Sequence, residues 1–306
     1  MIAVAEIRKE LSGLRLAHLS DAHIGPLPPP QRWELFGKRL TGYINWKRGR
    51  AAIHDMDMLT RLVADLKSNR PDHIAMTGDI MNIGLRAEFP LARQWLETLG
   101  SPRDVTFVPG NHDAYAKGTL PDLAATFAPW TTGDGAAAPR YPFLRLRDEI
   151  ALIGLCSGVP TAPFVAAGRL GANQCAALAT MLDDCAAAGQ VRVLLIHHPP
   201  HRNGTTLGRG LSDWPEIERV IARHGAELIL HGHNHRASLA HMRGPTRPVP
   251  VVGVASASAV RGTATHRAGY HLFEIEGTAK DYRIKGRARG ILPGTSEIGD
   301  LGTIEL

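Results

Sequence analysis

Five short polar clusters in this 306-residue sequence gather side chains that could together bind a metal ion or move a proton. They are Ser20-Asp21-Ala22-His23, Gly78-Asp79, Gly110-Asn111-His112-Asp113, His197-His198-Pro199 and Gly232-His233-Asn234-His235. Asp21, His23, Asp79, Asn111, His112, His197, His233 and His235 offer carboxylate, amide and imidazole donors, and none is a cysteine. Such oxygen and nitrogen donors suit Zn, Mn, Fe or Co and do not suit an iron–sulfur cluster. In Asp21-Ala22-His23 and His233-Asn234-His235 the paired donors stand two apart. On extended backbone they then face one side; on a tight turn they can reach different ions. Gly78, Gly110 and Gly232 each precede donors and permit a sharp turn or close backbone approach. Taken singly the clusters are weak signals, because Gly-Asp by itself commonly marks a turn. His198 and His231 are read as packing or supporting histidines.

The clusters share a position. Apolar runs Leu14 to Leu19, His73 to Thr77, Val105 to Val108, Val191 to Ile196 and Leu228 to Leu230 each end at one of them. Their length and β-branched content predict buried strands. In α/β sheets ligands bind outside the carboxyl ends of strands, so residues far apart in sequence can converge there. Further strands are predicted at 150–155, 249–254, 270–275 and 282–285. Helices are predicted around Met58 to Leu66, Leu91 to Leu99, Asn173 to Cys185 with Asn173 as cap, and Pro215 to Ile221 with Pro215 in the first turn. Strands alternating with helices make the chain α/β up to His235, with an all-β stretch after it. No repeat or linker stands out, so residues 1–306 are read as one domain, with a Gly-rich tail from Gly286 expected to pack loosely.

Composition narrows the class. The hydrophobic fraction of 44% and charged fraction of 21% fit an ordinary globular protein. Cys156, Cys175 and Cys185 form no CxxC pair, which argues against a disulfide framework and suits a reducing compartment. Met1 to Ala5 is too short an apolar start for a secretory signal, and no run reaches the roughly 18 apolar residues of a membrane span. The expectation is a cytoplasmic protein. The net charge of +6 favours anionic partners.

The order D-x-H, G-D, G-N-H-D, H-x-P, G-H-x-H resembles the calcineurin-like metallophosphoesterase superfamily. The motifs run from Asp21 to His235, about 70% of the chain, with no departure at a donor position. The resemblance implies a four-layer α/β/β/α sandwich with two mixed β-sheets. It implies a first metal on Asp21, His23, Asp79 and His235, and a second on Asp79, Asn111, His197 and His233. Asp79 would bridge the two ions, whose identity stays open among Mn, Fe, Zn and Co. His112 would face the scissile phosphate, with Asp113 orienting it. The implied reaction is hydrolysis of a phosphate ester, with a phosphodiester favoured. Paired metals clamp a phosphoryl group and activate a shared water as nucleophile. His112 would act as general acid or as a stabiliser of the transition state. A scaffold that has lost its metal chemistry is disfavoured, because every donor and His112 are present.

Two features bear on the substrate. His197-His198-Pro199-Pro200 and Gly232-His233-Asn234-His235 look most like the bacterial class III cyclic-nucleotide phosphodiesterase and glycerophosphodiesterase branch. Arg202 and Arg209, in the loop after His198, are candidate contacts for an anionic substrate. The segment from Gly25 to Arg50 points elsewhere. Between Arg32 and Arg50 stand Arg32, Lys38, Arg39, Lys47, Arg48 and Arg50 against the single acid Glu34. Trp33, Phe36, Leu40, Tyr43 and Ile44 fall at helical spacing among them, as in an interfacial amphipathic helix, with Trp33 and Trp46 as anchors. Peripheral contact of Trp33–Arg50 with an anionic membrane is therefore an expectation. So is the alternative that the enzyme acts on a phospholipid-like or nucleotide-sugar lipid substrate, as the UDP-diacylglucosamine pyrophosphatases of the superfamily do. The competing reading packs the stripe on the protein's own core or in a dimer. Nucleic acid ranks third, because no second basic stripe or groove-forming insert is present.

Overall fold

Period-two alternation in the strands decides the layering. In β5 (Ile150–Gly154), Ile150 and Leu152 enter one apolar cluster while Ala151 and Ile153 enter another. The same split occurs in β1 (Leu14–Leu19), where Leu14 and Leu16 face one way and Ala17 and Leu19 the other. A strand apolar on both faces must be covered on both faces. The computed structural model describes residues 13–306; the apolar start Met1 to Ala5 lies outside them.

The cover is two sheets and two helical layers. The first sheet has the order β12-β11-β10-β1-β2-β3, with β2 (His73–Met76), β3 (Val105–Phe107), β10 (Gly269–Thr278), β11 (Asp281–Ile291) and β12 (Ile298–Ile304). Strands β1, β2 and β3 run parallel and the remainder antiparallel. The second sheet has the order β4-β5-β6-β7-β9-β8, with β4 (Phe143–Arg147), β6 (Val191–Leu195), β7 (Leu228–His231), β8 (Ser238–Met242) and β9 (Val249–Gly253). Here β5, β6, β7 and β9 are parallel, with antiparallel edges. Leu16, Phe143, Leu152, Val193, Leu230, Val252 and Phe273 fill the space between the sheets. Outside the first sheet pack α2 (Met56–Ser68), α3 (Glu88–Leu99) and α4 (Leu120–Thr131); outside the second pack α5 (Ala172–Ala187) and α6 (Trp214–His224). The result is the four-layer α/β/β/α sandwich.

Local chemistry explains most helix positions. Asp55 caps α2 by accepting from the Met58 amide at 2.8 Å, and Leu59, Leu62 and Leu66 then meet the sheet on one face. Pro215 occupies the first turn of α6 as expected. Helix α5 begins at Ala172 after Gly171, so Asn173 lies inside the helix and does not cap it. The tail also differs from expectation. Residues 286–291 continue β11, and β12 pairs with them as an edge strand, so the glycines serve a hairpin and not a loose end. The three cysteines are free. Among the described residues no helix is long and apolar enough to cross a membrane.

Candidate metal centre

Strands β1, β2, β3, β6 and β7 end on the same side, and the ladder continues past their ends. Asp21 donates its amide to the Gly78 carbonyl at 2.9 Å and His23 to that of Asp79 at 3.0 Å; Gly232 donates to the His197 carbonyl at 3.1 Å. The turns that follow are strained. Asp21, His23, Asp79, His233 and His235 all have positive φ, between 41° and 69°. Such backbone is uncommon outside glycine and gathers at functional sites, and Asp and His tolerate it better than most residues. Gly78, with φ of 98°, lies so close to His197 that an added Cβ would stand 2.6 Å from Nδ1. At Gly232 the same atom would run into Ser20 and Asp21.

These turns bring all seven candidate donors together as two sets. Around Asp21, Oδ1 lies 3.2 Å from His235 Nε2 and 3.9 Å from His23 Nε2, and the two ring nitrogens are 3.2 Å apart. In the other set, Asn111 Oδ1 lies 2.9 Å from His233 Nδ1 and 3.2 Å from His197 Nε2. Asp79 Oδ2 stands between the sets, 3.2 Å from His197 Nε2 and 4.0 Å from His23 Nε2. Its Oδ1 accepts from the His112 amide at 2.7 Å.

The residues fit cations. His23 Nδ1 is 3.0 Å from the Met81 carbonyl and His197 Nδ1 is 2.7 Å from that of Thr77. Each ring therefore donates outward and turns the lone pair of Nε2 into the cluster, as metal-binding histidines do. Asp21 Oδ1 and His233 Nε2 are buried with no hydrogen-bond partner, a state that native interiors rarely leave unexplained. Burial opposes a charge on His197, yet Asp79 and then Asp21 outweigh it and hold the ring up at about 9. Burial likewise opposes the charge on Asp79, and the histidines around it, His197 foremost, hold its carboxyl well below the usual range. Two ionised carboxylates thus attract positive charge into the cluster, as a proton on His197 or as a cation that would replace it.

His112 lines the same cavity, whose volume is about 350 Å³. Its Nδ1 donates to the Asn82 carbonyl in a very short contact, and its Nε2 faces inward. Asp113 does not orient it. Each Asp113 oxygen accepts two backbone amides, those of Asp79 and Gly110 on one and of Ile80 and Met81 on the other, at 2.7–3.1 Å. That carboxylate ties the Asp79 turn to the Asn111 turn. The family resemblance implied that Asp113 orients His112; the tight turn sends its carboxylate the other way. His198 is held by Ser157 Oγ at 2.8 Å and the Ala166 carbonyl at 3.2 Å, so both its ring nitrogens are engaged outside the donor sets. Of the two candidate arginines, Arg209 lines the cavity. Arg202 stays on the exposed loop, with its amide on Glu218.

The insert departs most from expectation. Its helix α1 spans Lys38–Arg48, and Trp33 lies outside it in a separate 3₁₀ turn. Trp46 is buried and stacks on His54, so it anchors the insert inward and not at a membrane. Lys38 binds Thr161 and the Val165 carbonyl, and Arg39 binds the carbonyls of Ile83 and Gly84. Two residues not expected in the site enter it, Arg50, assigned to the insert's membrane-facing charge, and His54, which was not singled out. Arg50 donates to His112 Nε2 at 2.9 Å and to His23 Nε2 at 3.0 Å, and the His54 ring packs 4.7 Å from that of His23. The available signal was positional. Asp55 must start α2 against the sheet, which returns the few residues before it to the strand ends.

Comparison with known proteins agrees with this geometry. The family model of the calcineurin-like phosphoesterases matches residues 14–237. A probable cyclic nucleotide phosphodiesterase of Synechococcus sp. is 29% identical over 227 residues, 73% of this chain and 74% of that one. The glycerophosphodiester phosphodiesterase GpdQ of Enterobacter lignolyticus is 26% identical over 249 residues, 76% and 74% of the two chains. Among solved structures, a dimetal phosphatase from Danio rerio superposes with a TM-score of 0.58 at 13% identity, covering 95% of this chain and 99% of that one, a likeness of fold alone. A match over more than two thirds of the chain, on the very strands that carry the donors, makes this chain a member of the calcineurin-like phosphoesterase family.

Proposed function

We propose that this protein hydrolyses a phosphodiester at a centre of two metal ions. Asp21, His23, His235 and Asp79 would hold one ion, and Asp79, Asn111, His197 and His233 the other. The observation that carries the reading is Asp79 Oδ2, one carboxylate oxygen standing between two donor sets. When bound there, ions of the Mn, Fe, Zn or Co type would clamp the phosphoryl group and make a shared water nucleophilic near neutral pH.

The chain's own groups do the remainder. The Met81 and Thr77 carbonyls fix the tautomers of His23 and His197. Asp113 holds the Asp79 and Asn111 turns in register. His112 offers Nε2 to the cavity. Burial, and then the charge on Arg50, lower its pKa to about 3, so the ring is neutral in this arrangement. An anionic ester entering the cavity supplies the compensating charge that lets His112 carry a proton to the leaving oxygen. The names of the two curated relatives describe diesterases, which supports a cyclic nucleotide or a glycerophosphodiester as substrate. The test is a panel on metal-reconstituted protein with cyclic nucleotides, glycerophosphodiesters, a nucleotide-sugar lipid and phosphomonoesters. Turnover of the diesters is expected; hydrolysis of monoesters alone would contradict the assignment.

One observation favours a second substrate class. Leu40 and Ile44 stand exposed on the outer face of α1, after the exposed Phe36, and Lys47 and Arg48 continue that face. Phe164, on the cavity lining, and Leu207, on the loop joined to it through Ala166 and Gly208, are almost fully exposed. An apolar rim with solvent-exposed basic side chains beside a phosphoesterase site fits an anionic lipid surface and a lipid-like ester. Cosedimentation with anionic vesicles at low salt and release at high salt is expected under this reading. No sedimentation at low salt would remove it.

A further inference from the structure

We propose that Arg50 is a substrate-binding residue, a guanidinium that the insert delivers into the metal centre to grip the oxygens of the phosphoryl group. The proposal rests on the phosphoesterase reading of the site and extends it to a residue outside the family motifs.

Three observations carry it. Arg50 lines the cavity, where its two terminal nitrogens donate to His112 Nε2 and His23 Nε2, side chains of the candidate metal centre itself. Each partner has its Nδ1 on a backbone carbonyl, which leaves Nε2 as the acceptor. Among the described residues no carboxylate lies within 4.0 Å of the guanidinium, and it makes no other hydrogen bond. Arg50 is only partly exposed, and although the nearby charges of Asp79 and Asp21 favour it, no carboxylate touches it, so its N–H groups are free to take an anion's oxygens. A planar fork of five N–H donors matches a phosphate oxygen pair better than any other side chain does. His23 Nε2 is also a metal donor in the proposed centre. Once that lone pair is committed to an ion, the N–H that now rests on it is released toward the substrate.

The insert is built to hold this residue still. Trp46 packs on His54, Arg39 is fixed on two carbonyls, and Tyr43 joins Leu27, Ile83, Leu85 and Tyr115 in a small apolar cluster. Gly42 is pressed against Ile83 and Tyr115, where an added Cβ would stand 2.8 Å from Ile83 Cγ2. A short 3₁₀ turn at Arg50–Ala52 then lowers the chain into the site. Preorganised donors of this kind act without reorganising during the reaction. Arg209 also lines the cavity and adds to the positive field.

The experiment compares wild type, Arg50→Gln, Arg50→Lys and the exposed control Arg202→Gln, all metal-reconstituted. It measures metal content, calorimetric affinity for inorganic phosphate, and kcat and KM with an aryl phosphodiester. Arg50→Gln should keep the metal, bind phosphate about 10–100-fold more weakly, and lose about 10²–10³-fold in kcat/KM. Arg50→Lys should recover part of the phosphate affinity through charge alone, and Arg202→Gln should match wild type. Arg50→Gln with wild-type phosphate affinity and kcat/KM overturns the proposal. So does a loss of metal in that variant, which would make Arg50 a support of the donor cluster. A wild-type protein that holds metal yet neither binds phosphate nor turns over any diester overturns the phosphoesterase reading itself, and this proposal with it.

Discussion

At the strand ends, seven donor side chains drawn from the 215 positions between Asp21 and His235 turn toward one another. In the insert, six basic side chains drawn from the 19 positions between Arg32 and Arg50 turn several ways. Lys38 and Arg39 bind backbone carbonyls, Arg50 enters the cavity, and Lys47 and Arg48 stay in solvent. Distance in sequence decides neither outcome. The ends of parallel strands are placed by the hydrogen-bond ladder, so a residue one or two positions beyond the strand has a fixed address. A short helix is free to rotate until a large side chain finds a hole, and in α1 Trp46 finds one against His54.

The comparison can be broken at the strand ends first, where the largest effect is expected. Asp79→Ala removes the oxygen shared by both donor sets, and should lose metal and turnover together while the chain remains folded by circular dichroism. Retention of full metal content and rate would refute the bridging role. His112→Ala should keep the metal and lower kcat by about 10²–10⁴-fold. If the ring supplies a proton, that defect shrinks for aryl esters, whose leaving groups need none; an equal defect on all esters assigns it to electrostatics alone.

Asp113→Ala leaves four buried amides without their acceptor. It should destabilise the fold by about 2–4 kcal/mol in urea titration, in contrast to a purely catalytic residue, whose loss leaves stability unchanged. A smaller effect comes from His73, at the opposite end of β2 from the donors. Burial, and then Arg147, hold its pKa down at about 3, and its ring bonds to Thr106 at 2.7 Å. The folded state thus refuses a proton that the unfolded chain accepts below its usual pKa of about 6.5. Stability is full above that value and falls as pH drops through the window toward 3, by about 1.4 kcal/mol per pH unit from this residue. His73→Gln should flatten the acid limb by that slope, and an unchanged slope would show the ring to be already charged. The smallest effect belongs to the insert's outer face. Lys47→Gln with Arg48→Gln should leave stability and turnover of a soluble diester alone, so any vesicle binding they abolish reports on the surface and not on the fold.

Much of the donor cluster was legible in advance, because Asp, Asn and His at the end of an apolar run have few other reasons to be there. The strands were legible for the same cause, a switch from continuous β-branched residues to polar turns. Helix α4 escaped notice because Pro121 and Pro129 interrupt its pattern; one sits in the first turn, where a helix tolerates it, and the other lies inside the helix and costs one ladder hydrogen bond near its end. Strand β12 and the end of β11 were obscured by glycines that a hairpin uses. Trp46 and Arg50 were misjudged for a deeper reason. Spacing tells which residues share a helix face, but not whether that face turns to solvent or to the protein. Asp113 shows the same gap at a turn, where chain neighbours part company.

The most direct test is anomalous diffraction from crystals of metal-reconstituted protein, recorded at the absorption edge of the metal supplied. The account predicts two peaks about 3.5–4 Å apart, with Asp79 touching both. Asp21, His23 and His235 should surround the first, and Asn111, His197 and His233 the second. A single peak, or ions held by His54 or His198 with Asp79 standing free, would contradict it.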